Sequence, residues 1–319
     1  MINERNLNLS DREFNVIRSF VQSSTEQEIV KFMCENFVDW GNKLPGELLQ
    51  YIINFHKTYK FWGVLDPTEN NIELIQQRAS IIKNQWDKIE EFYEQLSDFR
   101  SKDVLVMILG NWLTFQFEGI NKVKENNFKS YFDMDLLKID EQEVFVDLGA
   151  WKGDTIDDYI ETYGNNQFKK IYTYEILEQN ISVLRQKFSY DKRIVVRPVG
   201  VSDKKGTMYL SDNGTTDAQA LVKEGNKEIE TVTLDEDITE KITFLKMDIE
   251  GAERDAIKGA EKHIREDKPK MAISIYHSNE DLVYIFDLIK KIQSEYKFYL
   301  RYYGMPYFPT DYVLICVPK

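Results

Sequence analysis

The stretch Val144-Phe145-Val146-Asp147-Leu148-Gly149-Ala150-Trp151-Lys152-Gly153-Asp154-Thr155 constrains this chain more than any other. Val144, Phe145 and Val146 are a short apolar run of the β-branched and aromatic kind that fills the centre of a parallel sheet. Gly149 and Gly153 permit positive φ and let the backbone pass close to a ligand. Asp154 and Thr155 sit where an N-cap and first helical turn belong, so free N–H groups face the same space. A buried strand, a tight turn and a helix start, in that order, predict a nucleotide-cofactor pocket. Its expected lining is Asp147, Gly149, Ala150, Gly153, Asp154 and Thr155.

The spacing argues against a dinucleotide. A pyrophosphate loop reads G-x-G-x-x-G, with a middle glycine under the phosphates. Here the pattern is D-x-G-x-x-x-G, with Asp147 two residues before the first glycine. A carboxylate there repels a pyrophosphate but suits, directly or through water, a ligand with an ammonium group, as S-adenosylmethionine has. The next strand, Lys170 to Glu175, closes on an acid. About 20 residues past such a turn, a carboxylate accepts hydrogen bonds from ribose hydroxyls. Glu175 therefore supports a nucleoside, and serves NAD and S-adenosylmethionine alike.

The 319 residues suffice for one large domain or two ordinary ones. With 42% hydrophobic and 13% aromatic residues, wholesale disorder is not expected. A net charge of −13 offers no electrostatic footprint for nucleic acid or an anionic membrane. Cys34 and Cys316 lie far apart without metal-ligand spacing, so neither a disulfide nor a zinc site is expected. No apolar run reaches 18 residues and the N-terminus lacks a signal-peptide core, which predicts a soluble, cytoplasmic protein.

Residues 1–135 read as helices, with apolar residues at three- and four-residue spacing over 26–40, 46–59, 68–96 and 102–117. This part is expected to be a cap that recognises a large acceptor, or a homo-oligomer interface. Trp62, Trp86 and Trp112 are candidates for stacking on sugar rings, though aromatics at helical spacing more often build a core. Residues 136–319 alternate strands and helices. Strands are expected at 143–149, 170–175, 193–201, 242–248 and 270–276, with helices at 154–163, 177–188, 252–265 and 280–294. Thr207 to Leu210 and Glu230 to Leu234 read as short edge strands. The last two strands, Lys297 to Tyr303 and Tyr312 to Val317, leave no room for a crossover helix and should pair antiparallel at the sheet edge.

The string Lys246-Met247-Asp248-Ile249-Glu250-Gly251-Ala252-Glu253 resembles the K-x-D-[IV]-E-G-x-E signature of the FkbM family of S-adenosylmethionine-dependent methyltransferases. The glycine turn, Ile273-Ser274-Ile275-Tyr276-His277 with Glu280-Asp281-Leu282, and Leu300-Arg301-Tyr302-Tyr303 are similar too, with a weaker echo in Tyr131-Phe132-Asp133. The likeness covers roughly residues 97–319. One departure is Ile176, where the family commonly has proline. The resemblance implies an α/β fold of the class I methyltransferase (Rossmann-like) type, a seven-stranded, mostly parallel sheet with an antiparallel C-terminal edge hairpin; the all-helical N-terminal domain that precedes it is read from its periodicity alone. The resemblance also implies methylation of a hydroxyl, often of a sugar in a glycan, glycoconjugate or secondary metabolite.

Asp248 falls at the carboxyl end of its strand, where open α/β sheets place the ligand crevice, and a carboxylate after an apolar strand is costly to bury without a partner. His277 follows a strand at the same edge, with an ordinary pKa near 6.5 that suits proton acceptance. Asp248 and His277 are the candidate catalytic residues, either one serving as base, and Asp248 is also expected among the cofactor-binding residues. Gly200, Val201 and Ser202 are expected beside the adenine, and Asp217 to Gln219 over the site. Glu253 suits a helix start, and Lys246 is either structural or paired with an acid. Two carboxylates without a third clear ligand predict no metal site. An amine acceptor needs the same base. An NAD-dependent oxidoreductase would need G-x-G-x-x-G, and a non-catalytic cofactor binder would not need Asp248 and His277.

Overall fold

The computed structural model describes residues 8–210, 221–225, 227–308 and 310–319. The expectation for Asp217 to Gln219 lies outside the described residues. The chain divides into two units. The first comprises Met1–Glu125 with Ile275–Tyr284 and Phe298–Tyr312, so two segments from beyond residue 135 join the helical part. The second comprises Asn126–Ser274, Ile285–Lys297 and Val313–Lys319.

Seven helices build the first unit: α1 (Leu9–Ser23), α2 (Glu26–Gly41), α3 (Gly46–Thr58), α4 (Glu73–Asn84), α5 (Trp86–Gln95), α6 (Phe99–Thr114) and α7 (Glu118–Lys122). Thr25 and Glu28 form a reciprocal capping box at the start of α2. The apolar stripe expected to run as one helix over 68–96 is broken twice. The Asp66 side chain accepts hydrogen bonds from the Thr68 backbone N–H and hydroxyl, turning Pro67–Glu69 into a 3-10 turn before α4. A second break at Gln85 starts α5 at Trp86, whose ring stacks 5.3 Å from Phe14. Trp62, Trp86 and Trp112 are all buried, as core residues are, not displayed for stacking on a sugar.

Beyond residue 125 the chain runs β1 (Val144–Leu148), α8 (Asp154–Tyr163), β2 (Lys170–Tyr174), α9 (Glu178–Lys187), β3 (Ile194–Arg197), β4 (Gly200–Val201), β5 (Gly206–Leu210), β6 (Leu221–Val222), β7 (Glu228–Val232), α10 (Leu234–Asp237), β8 (Phe244–Met247), α11 (Glu253–Lys258), α12 (Glu261–Glu266), β9 (Lys270–Ser274), α13 (Asp281–Ile292), β10 (Tyr296–Tyr302) and β11 (Tyr312–Pro318). The main sheet has seven strands in the order β10-β11-β9-β8-β1-β2-β3. β8, β1, β2 and β3 run parallel, as do β8 and β9, whereas β11 is antiparallel to β9. β1 is buried along its whole length, which explains its unbroken apolar run. Phe145 on β1 stacks on Phe244 of β8 at 4.9 Å and on Tyr159 of α8 at 5.0 Å, tying the central strands to the helix that follows the glycine turn.

Two expectations need correction. Strand three, read as continuous over 193–201, ends at Arg197, because Pro198 has no N–H to donate to a ladder. Gly200 and Val201 instead pair with β7 in a separate four-stranded sheet, β4-β7-β5-β6. The segment at 207–210 and residues 230–232 belong to that second sheet, not to the edges of the main one, and Leu234 opens α10.

Candidate functional site

β1 delivers the chain to the carboxyl edge of the sheet and the glycine turn carries it away. Gly149 has φ +78°, and a Cβ there would collide with the carbonyl oxygen of Asp248. The turn therefore packs backbone to backbone against the residue that follows β8, which only glycine allows. Gly149 and Ala150 both donate to the Tyr174 carbonyl at 3.1 Å. Gly153, at φ +79°, is the N-cap of α8, and a Cβ there would strike the Phe188 ring. It supplies no side chain to cap the first turn. Trp151, at the apex, holds φ +45° with its ring exposed. Asp154 is exposed in that first turn and Thr155 is buried.

Asp147 is fully buried beneath the turn and forms an ion pair with Lys246 at 3.0 Å. The two face each other because they are register partners on β1 and β8. Lys246 Nζ also donates to the carbonyls of Leu148 at 3.2 Å and Gly149 at 2.8 Å, so it holds the underside of the turn. Burial works to lower its pKa, but the charges of Asp147 and Asp248 outweigh that and leave it above the ordinary lysine value. Burial raises the Asp147 carboxyl, with Lys246 opposing.

Glu175 follows β2 and is buried. Its Oε1 accepts from the backbone N–H groups of Ile176 at 2.7 Å and Leu177 at 2.8 Å. Burial pushes its pKa up, and these backbone donors pull it back. The carboxylate is thus aimed by its own turn before any ligand arrives.

At the ends of the adjacent strands β8 and β9, Met247 pairs with Ile273, so Asp248 and Ser274 emerge at one edge. The Tyr131 hydroxyl joins them: it donates to Asp248 Oδ2 at 2.9 Å and lies 3.3 Å from Ser274 Oγ. Tyr131 adopts φ +70°, a strained conformation for an aromatic residue and one that clusters at functional sites. Lys246 Nζ lies 5.3 Å from the Tyr131 ring centroid, so one cluster links the base of the turn to the strand-edge carboxylate. Glu250 and Gly251, both at positive φ, turn the chain into α11. Glu253 is buried and folds back to accept from the Ile249 N–H at 2.8 Å, the helix-start role.

Gly200, Val201 and Ser202 are buried in the second sheet, where the Ser202 N–H donates to Val232 and its hydroxyl approaches Asp203 Oδ1 at 3.3 Å. His277 lies three residues past β9, in the first unit; it is 3% exposed, with Tyr276 4.2 Å and Phe61 6.0 Å from its ring. Sequence reasoning passed over Tyr131 and Ser274 as site residues. Ser274 could have been found, because it ends a strand parallel to the one Asp248 follows. Tyr131 lies in irregular chain before β1, where no periodicity marks it.

Residues 147–300 match the methyltransferase FkbM domain. Among solved structures the chain is similar to methyltransferase FkbM from Methylobacillus flagellatus KT, with 26% identity and a TM-score of 0.64 over 75% of this chain and 61% of that one. The chain thus spans less than two thirds of that neighbour. An rRNA methylase from Streptococcus thermophilus is 16% identical over 57% of this chain and 89% of its own, with a TM-score of 0.38. Fibrillarin from Aeropyrum pernix, with natively bound S-adenosyl-L-methionine, is 12% identical over 56% and 67%, with a TM-score of 0.35. Likenesses of that size bear no functional argument. No curated protein sequence matches the chain significantly.

Proposed function

We propose that this chain is an S-adenosylmethionine-dependent methyltransferase that O-methylates a sugar hydroxyl of a glycan, glycoconjugate or secondary metabolite. The observation that carries the reading is the Tyr131–Asp248–Ser274 cluster packed directly against the glycine turn. A proton acceptor and a cofactor turn share one sheet edge, where such sheets bind ligands.

The residues fit the cofactor's parts. The uncapped first turn of α8 offers N–H donors to the methionine carboxylate, and the backbone-held Glu175 offers acceptors to the ribose. When bound, S-adenosylmethionine supplies an electrophilic methyl group and leaves as a neutral thioether. The chain's own work is alignment and proton removal. Asp248 accepts the hydroxyl proton as the acceptor oxygen attacks, and Tyr131 keeps the carboxylate oriented for it. Holding the acceptor in line is worth several kcal/mol as effective concentration. His277 is the alternative proton acceptor, and a parallel variant separates the two.

The test is release of S-adenosylhomocysteine from S-adenosylmethionine in the presence of methyl glycosides and oligosaccharides. Asp248→Asn should lower kcat about 10²–10⁴-fold, with cofactor-product binding retained; His277→Gln should do so only if it is the base. Product binding without transfer to any hydroxyl would overturn the acceptor class, and absence of binding would overturn the methyltransferase reading itself.

A further inference from the structure

The first unit buries a cation that no described residue neutralises. Arg78, on α4, is 2% exposed. Its Nε donates to Asn279 Oδ1 at 3.1 Å, and its guanidinium carbon lies 4.9 Å from the Trp112 ring centroid. Among the described residues no carboxylate pairs with the guanidinium, and its terminal nitrogens Nη1 and Nη2 find no acceptor. Other deeply buried cations are paired: Lys246 with Asp147 at 3.0 Å and Arg301 with Asp98 at 2.8 Å.

The neighbours of Arg78 supply no negative charge. Asn279 is a neutral amide held in place by its own donations to the Trp62 carbonyl at 2.8 Å and Gln77 Oε1 at 3.0 Å. Tyr312 is close enough to feel the Arg78 charge, but burial raises its pKa by more than Arg78 lowers it, so the phenol stays protonated. A buried charge without a counter-ion is costly, and a ring face with one neutral amide offsets that only in part.

Arg78 lines a small cavity together with His56 of α3. Trp40 and Phe115 on its wall stack on each other, with ring centroids 6.2 Å apart, and the space left is about 10 Å³, room for one water-sized sphere. Tyr307, also on the wall, is 36% exposed and gives the cavity a way to the surface. A carboxylate does not fit in such a space, whereas a single-atom anion does. His56 is 3% exposed and its Nδ1 lacks a hydrogen-bond partner. Burial and, secondarily, the Arg78 charge push its pKa down to about 3, so the ring is neutral at physiological pH. Burial persists whatever neutralises Arg78. A neutral imidazole with its hydrogen on Nδ1 is a donor into the cavity. A water there would accept hydrogen bonds from both residues, but it would leave the guanidinium charge unopposed.

We propose that chloride occupies this cavity as the counter-ion of Arg78, bound by the guanidinium Nη hydrogens and by His56 Nδ1–H. Every group facing the ion is then a donor or a ring, and one buried positive charge meets one negative charge. The ion ties α3 to α4 inside the helical unit, a structural role apart from methyl transfer. It stands or falls without the S-adenosylmethionine reading.

Thermal melting of the full chain in sodium chloride tests this, with sodium gluconate, too large to enter, holding the ionic strength constant. Raising chloride from about 1 to 100 mM should raise the melting temperature by about 2 °C or more, because the ion binds the folded chain and not the unfolded one. Arg78→Met keeps a long side chain without the charge and should abolish the chloride dependence, whatever its own stability. If Arg78→Met fails to fold, wild-type crystals soaked in sodium bromide decide the matter: an anomalous peak is expected within hydrogen-bonding reach of Arg78 Nη and His56 Nδ1. Equal melting in chloride and gluconate, an undiminished chloride dependence in folded Arg78→Met, or a water without anomalous signal at that position would each overturn the proposal.

Discussion

Lys246 and Asp147 neutralise each other where both side chains are buried, and the lysine's remaining hydrogens hold two carbonyls of the glycine turn. Removing one partner of such a pair strands the other charge, which costs about 3–5 kcal/mol. Lys246→Met should therefore lower the free energy of urea unfolding by about that amount, and adding Asp147→Asn should recover much of the loss. Equal stability of the single and double variants would contradict the pairing. Gly149→Ala meets the Asp248 carbonyl at a positive φ and should cost about 3 kcal/mol or more. Its melting temperature and its loss of S-adenosylhomocysteine affinity are the readouts. Tyr131→Phe should lower kcat by about tenfold or more while leaving that affinity unchanged, the split expected of a positioning residue. Both members of the ion pair were visible in the sequence, Asp147 before the turn and Lys246 in the strand-four motif. That they oppose each other was not, because it depends on β1 and β8 being neighbours in register, almost a hundred residues apart in the chain.

At the scale of elements, local chemistry decided most boundaries. α2 and α3 begin where Thr25 and Pro45 mark them, and β1, β2 and β8 follow their apolar runs. The misreadings came where a side chain redirected its own backbone or tertiary packing overrode a periodic stripe. Asp66 made a turn of what resembled a helix start, Trp86 broke one helix into two by packing on Phe14, and Pro198 ended β3 early. The capping box of α2 makes a direct prediction: Thr25→Ala removes the hydroxyl that accepts from the Glu28 N–H and should destabilise the chain by about 1 kcal/mol. Chemical denaturation checks this, and a change under a few tenths would mean the cap is redundant.

For the whole molecule, the parallel βα rhythm and the glycine turn were legible because they are local patterns. The division into units was less so, since Ile275–Tyr284 and Phe298–Tyr312 join the helical unit through packing that no local pattern announces. No helix among the described residues is long and apolar enough to cross a membrane. Stability should also depend on pH through His56. Its folded pKa, about 3, lies below the unfolded value near 6.5. Between those values the unfolded chain binds a proton that the folded chain refuses, so stability falls as pH drops through that window, by the order of a few kcal/mol. His56→Gln should flatten the dependence between pH 6.5 and 4 in melting experiments, and an unchanged slope would place the acid sensitivity elsewhere.

The most direct test of the cofactor site is calorimetric titration with S-adenosylhomocysteine and, separately, with NAD, on the wild-type chain and on Glu175→Ala and Glu175→Gln. The account predicts single-site binding of S-adenosylhomocysteine, none of NAD, and loss of affinity in Glu175→Ala with a smaller loss in Glu175→Gln, which keeps an acceptor oxygen for the backbone donors of Ile176 and Leu177. Binding of NAD, or S-adenosylhomocysteine affinity indifferent to Glu175, would contradict it.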